Sequence, residues 1–415
     1  MRGRAYSNSR SSIISLLLEN GELSRADIAR QTGLSRAAIS LSVAELIEEG
    51  LVQEIGTSES TGGRKPVLIR LGGGSTLVMG VAFEETSCFF TLVNLDGLEI
   101  DRLVIADTTA FDPLHVIETV TVGVNRLLAR HPGVRLLGCG LALSGQVNSL
   151  TDTFSSTTWK FGATHLRGML AEALGIPAAI IDNAHAAGLG ELWLQGREHR
   201  EHLVYFYMGV GAGGAIVTGR NLYVGRNHAA GEIGATIIDP DGPDFGCHRG
   251  CLEGFLSYPH LRSIVNRQRV LGLTTSLPAN LSDGIFIAAI ANAANRDDEI
   301  ALATMRYAAR IVGIQSANMI NLLNPDEIIL GGPFGFWGDR FAAMVSAEAK
   351  KTALSSSFAA VQILPGQPVT RTIPLGAAAT IILQAPTLLA PTARDRALGN
   401  GKVRRQAKTT SVGTL

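Results

Sequence analysis

Apolar positions at helical spacing dominate the start of the chain. Residues 9–19 carry such a pattern, and Gly21 ends it, which predicts a first helix. A second helix is predicted from Ser24, whose hydroxyl can cap it, to Thr32-Gly33. Asp27 stands where a capping box needs its second partner.

A third helix is predicted to begin at Ser35, a second N-cap residue. Ile39, Val43 and Ile47 recur along it at helical spacing and should form its buried side, and Gly50 ends the pattern. Three short helices separated by glycine-containing turns therefore open the chain.

Two short apolar segments follow, residues 51–55 and 67–71, and a polar, glycine-containing loop at 56–65 joins them. This pattern is typical of a strand pair with a wing. We therefore interpret residues 1–71 as a winged helix-turn-helix domain, and Gly72 to Thr76, which is rich in glycine, as a linker.

The pattern changes after the linker. Apolar strands alternate with longer helical stretches across residues 77–390, which predicts βα units around a mostly parallel sheet. Residues 391–415 are polar, basic and poor in apolar side chains, so we expect a disordered tail.

Composition agrees with a small head on a large α/β body. The chain has 415 residues, too many for one ordinary core, with 46% hydrophobic residues and 47 glycines. Its formal net charge is +0, so a nucleic-acid surface must come from local clustering. The four cysteines are too sparse for a disulfide framework, and no apolar run reaches membrane-spanning length, which favours a cytoplasmic protein.

The third helix is the candidate DNA-reading element, because an α-helix fits the major groove of B-DNA. Its outward residues are small, polar or cationic, with Arg36 suited to guanine and Leu41 suited to a thymine methyl. Two cations on the wing loop favour contact with the DNA backbone or minor groove. The predicted DNA-binding residues are Ser35, Arg36, Ala37, Ser40, Leu41, Arg64 and Lys65. The alternative is a winged helix that binds protein.

Several glycine-rich segments of the body occur in an order that resembles the ROK family of repressors and sugar kinases. These are residues 140–148 (GLALSGQVN), 208–216 (MGVGAGGAI), 231–234 (GEIG), 250–254 (GCLEG) and 328–333 (IILGGP). The resemblance implies a two-lobed, actin-like ATPase fold, and with the head it covers nearly the whole chain.

The sequence departs from the family's kinases at two catalytic segments. Where they carry an Asp-x-Gly-Gly-Thr phosphate loop, this chain has Ala82-Phe83-Glu84-Glu85-Thr86, whose carboxylates would repel a triphosphate. The family's catalytic base falls on Asn183, and an amide cannot take a proton at neutral pH. Asp182 could serve only if the register shifts by one residue.

The family's structural zinc site is also incomplete in this sequence. Ala235 stands in place of a ligating histidine, and only Cys251 keeps the register of the family's cysteines. Asp244, Cys247, His248 and Cys251 are the weak candidates for an improvised site. We therefore expect no cofactor.

Polar side chains remain in the segments that hold a sugar in the family. The resemblance assigns five residues to a sugar or sugar-phosphate ligand: Asn148, Asp182, Asn183, Glu232 and Glu253. The sequence thus predicts a homodimeric or tetrameric, sugar-modulated transcriptional regulator, a repressor of carbohydrate-related genes that binds an operator in double-stranded DNA. The alternatives are a working ATP-dependent sugar kinase with a DNA-binding head, and a regulator whose body only dimerises and binds no ligand.

Overall fold

A computed structural model describes residues 2–57, 66–72, 74–84, 86–106, 112–157, 159–194, 201–209, 211–245 and 248–390. The head comprises α1 (Arg2–Asn20), β1 (Glu22–Ser24), α2 (Arg25–Thr32), α3 (Arg36–Glu48), β2 (Val52–Thr57) and β3 (Val67–Leu71). Its strands form an antiparallel sheet in the order β1-β3-β2. This is the winged helix-turn-helix predicted from the sequence.

Local capping sets the bounds of the head helices. Ser24 and Asp27 form the predicted capping box at the start of α2, and Gly33 ends that helix in the left-handed conformation at φ +69°. The Ser35 hydroxyl accepts a 3.2 Å hydrogen bond from the amide of Ala38 and starts α3. The turn between α2 and α3 is therefore defined by its own short-range polar groups.

The head differs from the prediction in three details. Helix α1 begins at Arg2 rather than near residue 9, and β1 adds a third strand to the expected pair. On α3, Ile47 is only partly buried, whereas Ser42 is fully buried and shares a 2.8 Å hydrogen bond with Ser9 of α1. The hydroxyl pair lets a polar residue occupy the helix interface without an unsatisfied group.

The body begins with a first lobe at Thr76, the last residue of the predicted linker. Its elements are β4 (Thr76–Phe83), β5 (Ser87–Asn94), β6 (Glu99–Ala106), α4 (Pro113–Leu128), β7 (Arg135–Leu143), β8 (Gln146–Asn148), β9 (Thr153–Ser156), β10 (Phe161–Thr164), α5 (Leu166–Leu174) and β11 (Ala178–Asp182). The main sheet has the order β11-β7-β4-β5-β6, with β4, β5 and β6 antiparallel and β7 and β11 added in parallel. Helix α6 (Asn183–Leu194) leaves the lobe directly after β11.

The second lobe repeats this topology. Its elements are β12 (Leu203–Met208), β13 (Ala212–Thr218), β14 (Asn221–Leu222), α7 (Leu252–Leu256), α8 (Tyr258–Val270), α9 (Asp283–Ala294), α10 (Glu299–Leu323), β15 (Glu327–Gly331), α11 (Gly338–Ala349), α12 (Ser355–Phe358), β16 (Gln362–Pro365), α13 (Val369–Ile382) and α14 (Ala385–Leu388). The sheet order β14-β13-β12-β15-β16 again joins three antiparallel strands to two parallel ones. Two lobes of one topology agree with the actin-like architecture that the family resemblance implies.

Helices α6 and α13 join the two lobes. Each follows the last strand of its own lobe's sheet and packs on the sheet of the other lobe, and the two helices cross in close contact. A Cβ atom on Gly190 would overlap the carbonyl oxygen of Thr372, and one on Gly376 would overlap that of Ala186. Glycine at these positions lets the two helix backbones touch.

The head is joined to the body through a shared hydrophobic core. Leu17 and Leu18 of α1 belong to the same buried cluster as Leu375 and Ile382 of α13. The Ser11 hydroxyl donates a 2.7 Å hydrogen bond to the carbonyl oxygen of Pro386. Head and body therefore pack as one structure rather than as two units on a loose linker.

Among the described residues, no helix combines the length and the apolar character that crossing a membrane requires. The predicted tail at 391–415 lies outside the described residues.

Candidate functional site

One face of α3 is exposed and carries the residues predicted to read DNA. Ser35, Arg36, Ala37, Ser40 and Leu41 are all exposed, and Leu41 keeps 46% of its surface accessible although it is apolar. The opposite face is held by Ile39, Val43 and Leu46, which are fully buried. The helix therefore offers its N-terminal half to a ligand without disturbing the core beneath it.

The acidic residues at the C-terminal end of α3 pair with an arginine of α1. Both terminal nitrogens of Arg10 donate to the carboxylate of Glu49, at 2.7 and 2.6 Å, and Glu45 lies 3.9 Å from the same guanidinium. This pairing offsets acidic charge beyond the exposed N-terminal half of α3. The wing residues Arg64 and Lys65, which the sequence predicts to bind DNA, lie outside the described residues.

A second candidate site is a cleft of about 500 Å³ between the two lobes of the body. It opens where β4, β7 and β11 end, the edge of an α/β sheet that usually carries a ligand. The second lobe closes it with the β12–β13 turn and the segment after β15. Of the five predicted ligand residues, the structure brings four to this cleft: Asp182, Asn183, Glu232 and Glu253.

The start of α6 places two of these residues at the cleft. One Asp182 carboxylate oxygen accepts a 2.9 Å hydrogen bond from the amide of His185, and the other contacts the His185 ring Nδ1. Asn183 is 4% exposed, and its Nδ2 donates a 3.0 Å hydrogen bond to Glu84. At the position where the resemblance places the kinases' catalytic base, this chain has an amide hydrogen-bonded to a carboxylate.

Glu84 lies in the turn after β4, the segment that the resemblance aligns with the kinases' phosphate loop. The turn is tight, since the amide of Glu84 donates a 3.0 Å hydrogen bond to the carbonyl of Ser87. Together with its bond to Asn183, this holds the Glu84 carboxylate at the position that the family resemblance assigns to phosphate. Glu85 lies outside the described residues.

The remaining two acids come from the second lobe. A Glu253 oxygen accepts a 2.9 Å hydrogen bond from the amide of Ala212 and supports the turn before β13. Glu232 accepts a long 3.5 Å bond from Gln146 of the first lobe. Burial and the nearby charge of Asp182 raise the pKa of Glu232.

The fifth predicted ligand residue, Asn148, lies away from the cleft lining. Its side-chain oxygen accepts hydrogen bonds from the amides of Leu150 and Thr151, at 3.0 and 3.3 Å, and holds the turn after β8. The structure therefore shows a local structural role for this side chain, and its ligand role stays a prediction.

Two residues that line the cleft, His185 and Gln146, were not predicted from the sequence as site residues. His185 lies three residues after Asp182, and this spacing at the start of a helix brings the two side chains together. The sequence spacing could therefore have indicated this pair. Gln146 meets Glu232 across 86 residues of chain, a contact that no local pattern indicates.

The residues present do not fit the zinc site that the family implies. The thiol of Cys251 is buried and accepts a hydrogen bond from the amide of Gly254 as the N-cap of α7. Asp244 and His248 are exposed, and Cys247 lies outside the described residues. Within the described ranges, no cluster of three acidic, histidine or cysteine side chains is placed to hold a metal.

A winged helix with an exposed reading face, packed on a two-lobed body with a polar cleft, defines the class of DNA-binding regulators with a ligand-binding body. A model of the ROK family matches residues 78–382, and the chain belongs to this family. A model described as winged helix-turn-helix DNA-binding matches residues 8–53.

Named relatives agree with this class. The chain is 25% identical over 375 residues to the xylose repressor of Caldicellulosiruptor bescii, covering 89% of this chain and 94% of the relative. It is 25% identical over 325 residues to the DNA-binding transcriptional dual regulator NagC of Escherichia coli strain K12, covering 76% of this chain and 78% of that one.

A solved structure agrees with the fold. It is a ROK family transcriptional regulator described as a homolog of the E. coli MLC protein, and it superposes with a TM-score of 0.78 at 23% identity. The match covers 92% of this chain and 98% of the other. The predictions of family, fold class and a DNA-binding regulatory role are therefore confirmed.

Proposed function

We propose that the protein represses carbohydrate-related genes, binding a two-fold operator as a homodimer or tetramer, and that a sugar in the interlobe cleft changes its affinity for DNA. It would act in the cytoplasm, where operator and sugar are both accessible. The xylose repressor and NagC support the carbohydrate context through their names and their shared architecture.

One observation carries the coupling between sugar and DNA. Helix α6 starts at the cleft with Asn183 and ends at Leu194 beside the head. Trp193, near its C-terminal end, packs against the core that head and body share. A ligand that moves the start of α6 would therefore move a helix that also contacts the head.

The DNA contact is proposed to lie on the exposed face of α3, with Arg36 reading a base and the wing cations Arg64 and Lys65 binding phosphate. The N-terminal half of that helix suits a groove, because its small residues allow close approach. Two copies of the head would read the two halves of a palindromic operator.

The first experiment is selection of operator DNA from a random pool, followed by mobility-shift titration at fixed salt. We expect Arg36→Ala to weaken specific binding by about 1–3 kcal/mol, at least several-fold, and to relax sequence preference. Arg126→Ala, an exposed arginine on α4, is the matched control and should bind as wild type. Equal binding by Arg36→Ala and wild type would contradict the proposed reading face.

The kinase alternative has a direct test. A coupled assay with ATP, magnesium and a sugar panel should give no sugar-dependent ADP release, because Asn183 cannot act as base and Glu84 stands at the phosphate position. A thermal-shift screen against sugars distinguishes the proposed function from a regulator that binds no ligand. A sugar bound only to the folded state must raise the melting temperature, and a regulator without a ligand would show no such rise.

A further inference from the structure

The charge of the cleft is one-sided. Its described lining includes five carboxylates, from Glu84, Asp182, Glu232, Glu253 and Asp283, and it contains no lysine or arginine. The imidazole of His185 lies against Asp182, and the Arg262 guanidinium pairs with the outer Asp283 at 2.7 Å. A cleft with this balance attracts cationic groups, accepts neutral ones without a charge penalty and repels anions.

The second observation is a buried acceptor without a partner. Asn183 is 4% exposed, and its Oδ1 has no hydrogen-bond partner among the described residues although it lines the cleft. The amide orientation is set by the Glu84 carboxylate, which accepts from Nδ2 and so leaves Oδ1 facing the other way. An unpaired buried acceptor costs free energy, and a hydroxyl of a ligand in the cleft would supply the missing donor.

The groups around Asn183 are also hydrogen-bond acceptors. The carboxylate oxygens of Glu84, Asp182 and Glu232 are acceptors. Burial and the nearby charge of Asp182 raise the pKa of Glu232, so the cleft disfavours additional negative charge. Sugar hydroxyls can donate to these oxygens, whereas a phosphate dianion offers oxygen acceptors and two negative charges. The cleft volume of about 500 Å³ leaves room for a monosaccharide.

From these observations we infer that the cleft takes an unphosphorylated, hydroxyl-donating sugar, neutral or carrying an amino group, and rejects the phosphate esters of the same sugars. This inference rests on the proposed sugar-binding function of the cleft and narrows it. The Oδ1 atom of Asn183 receives a sugar hydroxyl, and the surrounding carboxylates exclude phosphate.

The test is calorimetric titration of the full-length protein with paired probes at constant ionic strength. The probes are xylose, glucose with glucose 6-phosphate, N-acetylglucosamine with its 6-phosphate, and glucosamine with its 6-phosphate. We expect at least one free sugar to bind, and its ester to bind about tenfold more weakly or not at all. An ester that binds as tightly as its parent overturns the inference, and so does failure of every free sugar to bind.

Two variants test separately the role of the Asn183 acceptor in sugar binding and the role of carboxylate charge in excluding phosphate. Asn183→Leu removes the Oδ1 acceptor together with the Nδ2 bond to Glu84. It should abolish sugar binding while keeping the folded head and its operator shift, because both losses lie in the cleft. Glu232→Gln keeps the shape and removes a charge, so the ratio of ester to parent affinity should rise several-fold relative to wild type. Glu118→Gln, an exposed acid on α4, is the matched control and should leave that ratio unchanged.

The operator shift separates this inference from the proposed function. A protein that shifts its operator but binds no free sugar refutes the inference and leaves DNA binding intact. A protein that binds free sugars with the expected preference but shifts no operator refutes the proposed function and supports the inference.

Discussion

At the scale of the residue, the contacts of His185 at the cleft predict a pH-dependent contribution to stability. Its Nδ1 contacts the Asp182 carboxylate and its Nε2 lies 2.7 Å from the carbonyl oxygen of Ala230, so both ring nitrogens face acceptors. Burial alone would lower the pKa of His185, but the charge of Asp182, these hydrogen bonds and nearby Glu232 outweigh it, and the pKa is raised above 6.5. His228, also close, has a lowered pKa because of burial and the His185 charge.

The sign of the pH effect follows from linkage. A raised native pKa makes the His185 contribution to the free energy of unfolding largest below pH 6.5 and removes it as pH rises through the native pKa. We expect the melting-temperature gap between wild type and His185→Gln to be largest in mild acid and to shrink in alkali. His248→Gln, on an exposed loop, should show no such gap. A gap that widens with pH would exclude the charged pair.

Asn183 gives a second prediction at this scale. Asn183→Asp places two carboxylates within the 3.0 Å contact that the amide makes with Glu84, so at neutral pH it should lower the free energy of unfolding by about 1–3 kcal/mol. Denaturant titration should show that the free energy of unfolding of this variant returns toward the wild-type value in acid, where one of the two carboxyls is protonated. The double variant Asn183→Asp with Glu84→Gln should recover at neutral pH. A fully additive double variant would mean that the two side chains do not interact.

Single residues were predictable where their partners are local in sequence. The capping box of Ser24 and Asp27 needs only residues three apart, and it is present as predicted. Asn148 was given a ligand role because its segment resembles the family's, yet the amides of Leu150 and Thr151 engage it. The bond between Asn183 and Glu84 joins residues 99 apart, and sequence patterns carry no signal for it.

At the scale of the element, helices α6 and α13 cross with their backbones in close contact. We expect Gly376→Ala to lower the free energy of unfolding by about 1–3 kcal/mol, because its Cβ would meet the carbonyl oxygen of Ala186 and one helix must shift. Gly168→Ala, on α5 with open space around it, should be neutral or slightly stabilising. Urea denaturation of both variants measures the difference. Equal stability would mean that the helices can separate without cost.

The sequence predicted which kinds of element occur, helices or strands, but not which strands pair with one another in the sheets. The alternation of apolar strands and helices indicated the α/β body, and the helical spacing after Ser35 indicated α3. The start of α1 at Arg2 escaped prediction, because residues 2–8 contain few apolar side chains to mark a helical face. The repeated sheet topology depends on contacts such as Leu203 with Glu327, which are distant in the chain.

At the scale of the whole molecule, the shared core makes head and body stabilise each other. Leu17 is 1% exposed, and it lies in one buried cluster with residues of α13. We expect Leu17→Ala to destabilise the protein by about 2–5 kcal/mol and to shift a single cooperative melting transition. Circular dichroism and loss of operator binding should report the same midpoint. Two separate transitions would show that the head unfolds independently.

In the proposed function, the same junction would carry the sugar signal to the DNA-binding head. Trp193 lines a small crevice with Leu18 and Arg220, and the Arg220 guanidinium donates a 2.9 Å hydrogen bond to the carbonyl of Glu19 at the end of α1. Trp193 also packs on the core that spans the lobes, so we expect its removal to weaken the contact between α6 and the head while leaving the cleft residues in place.

We therefore expect Trp193→Ala to bind free sugar with an unchanged dissociation constant but to lose most of the sugar-dependent change in operator affinity. Coupling between two sites is reciprocal, so operator DNA should also stop changing the affinity for sugar. Paired titrations, sugar with and without DNA and DNA with and without sugar, measure both sides of this cycle. Trp159→Phe, at the cleft wall, is the contrasting variant: it should alter sugar affinity and preserve the coupling. If Trp193→Ala keeps the full coupling, the signal must pass through another contact, such as the bond between Ser11 and Pro386.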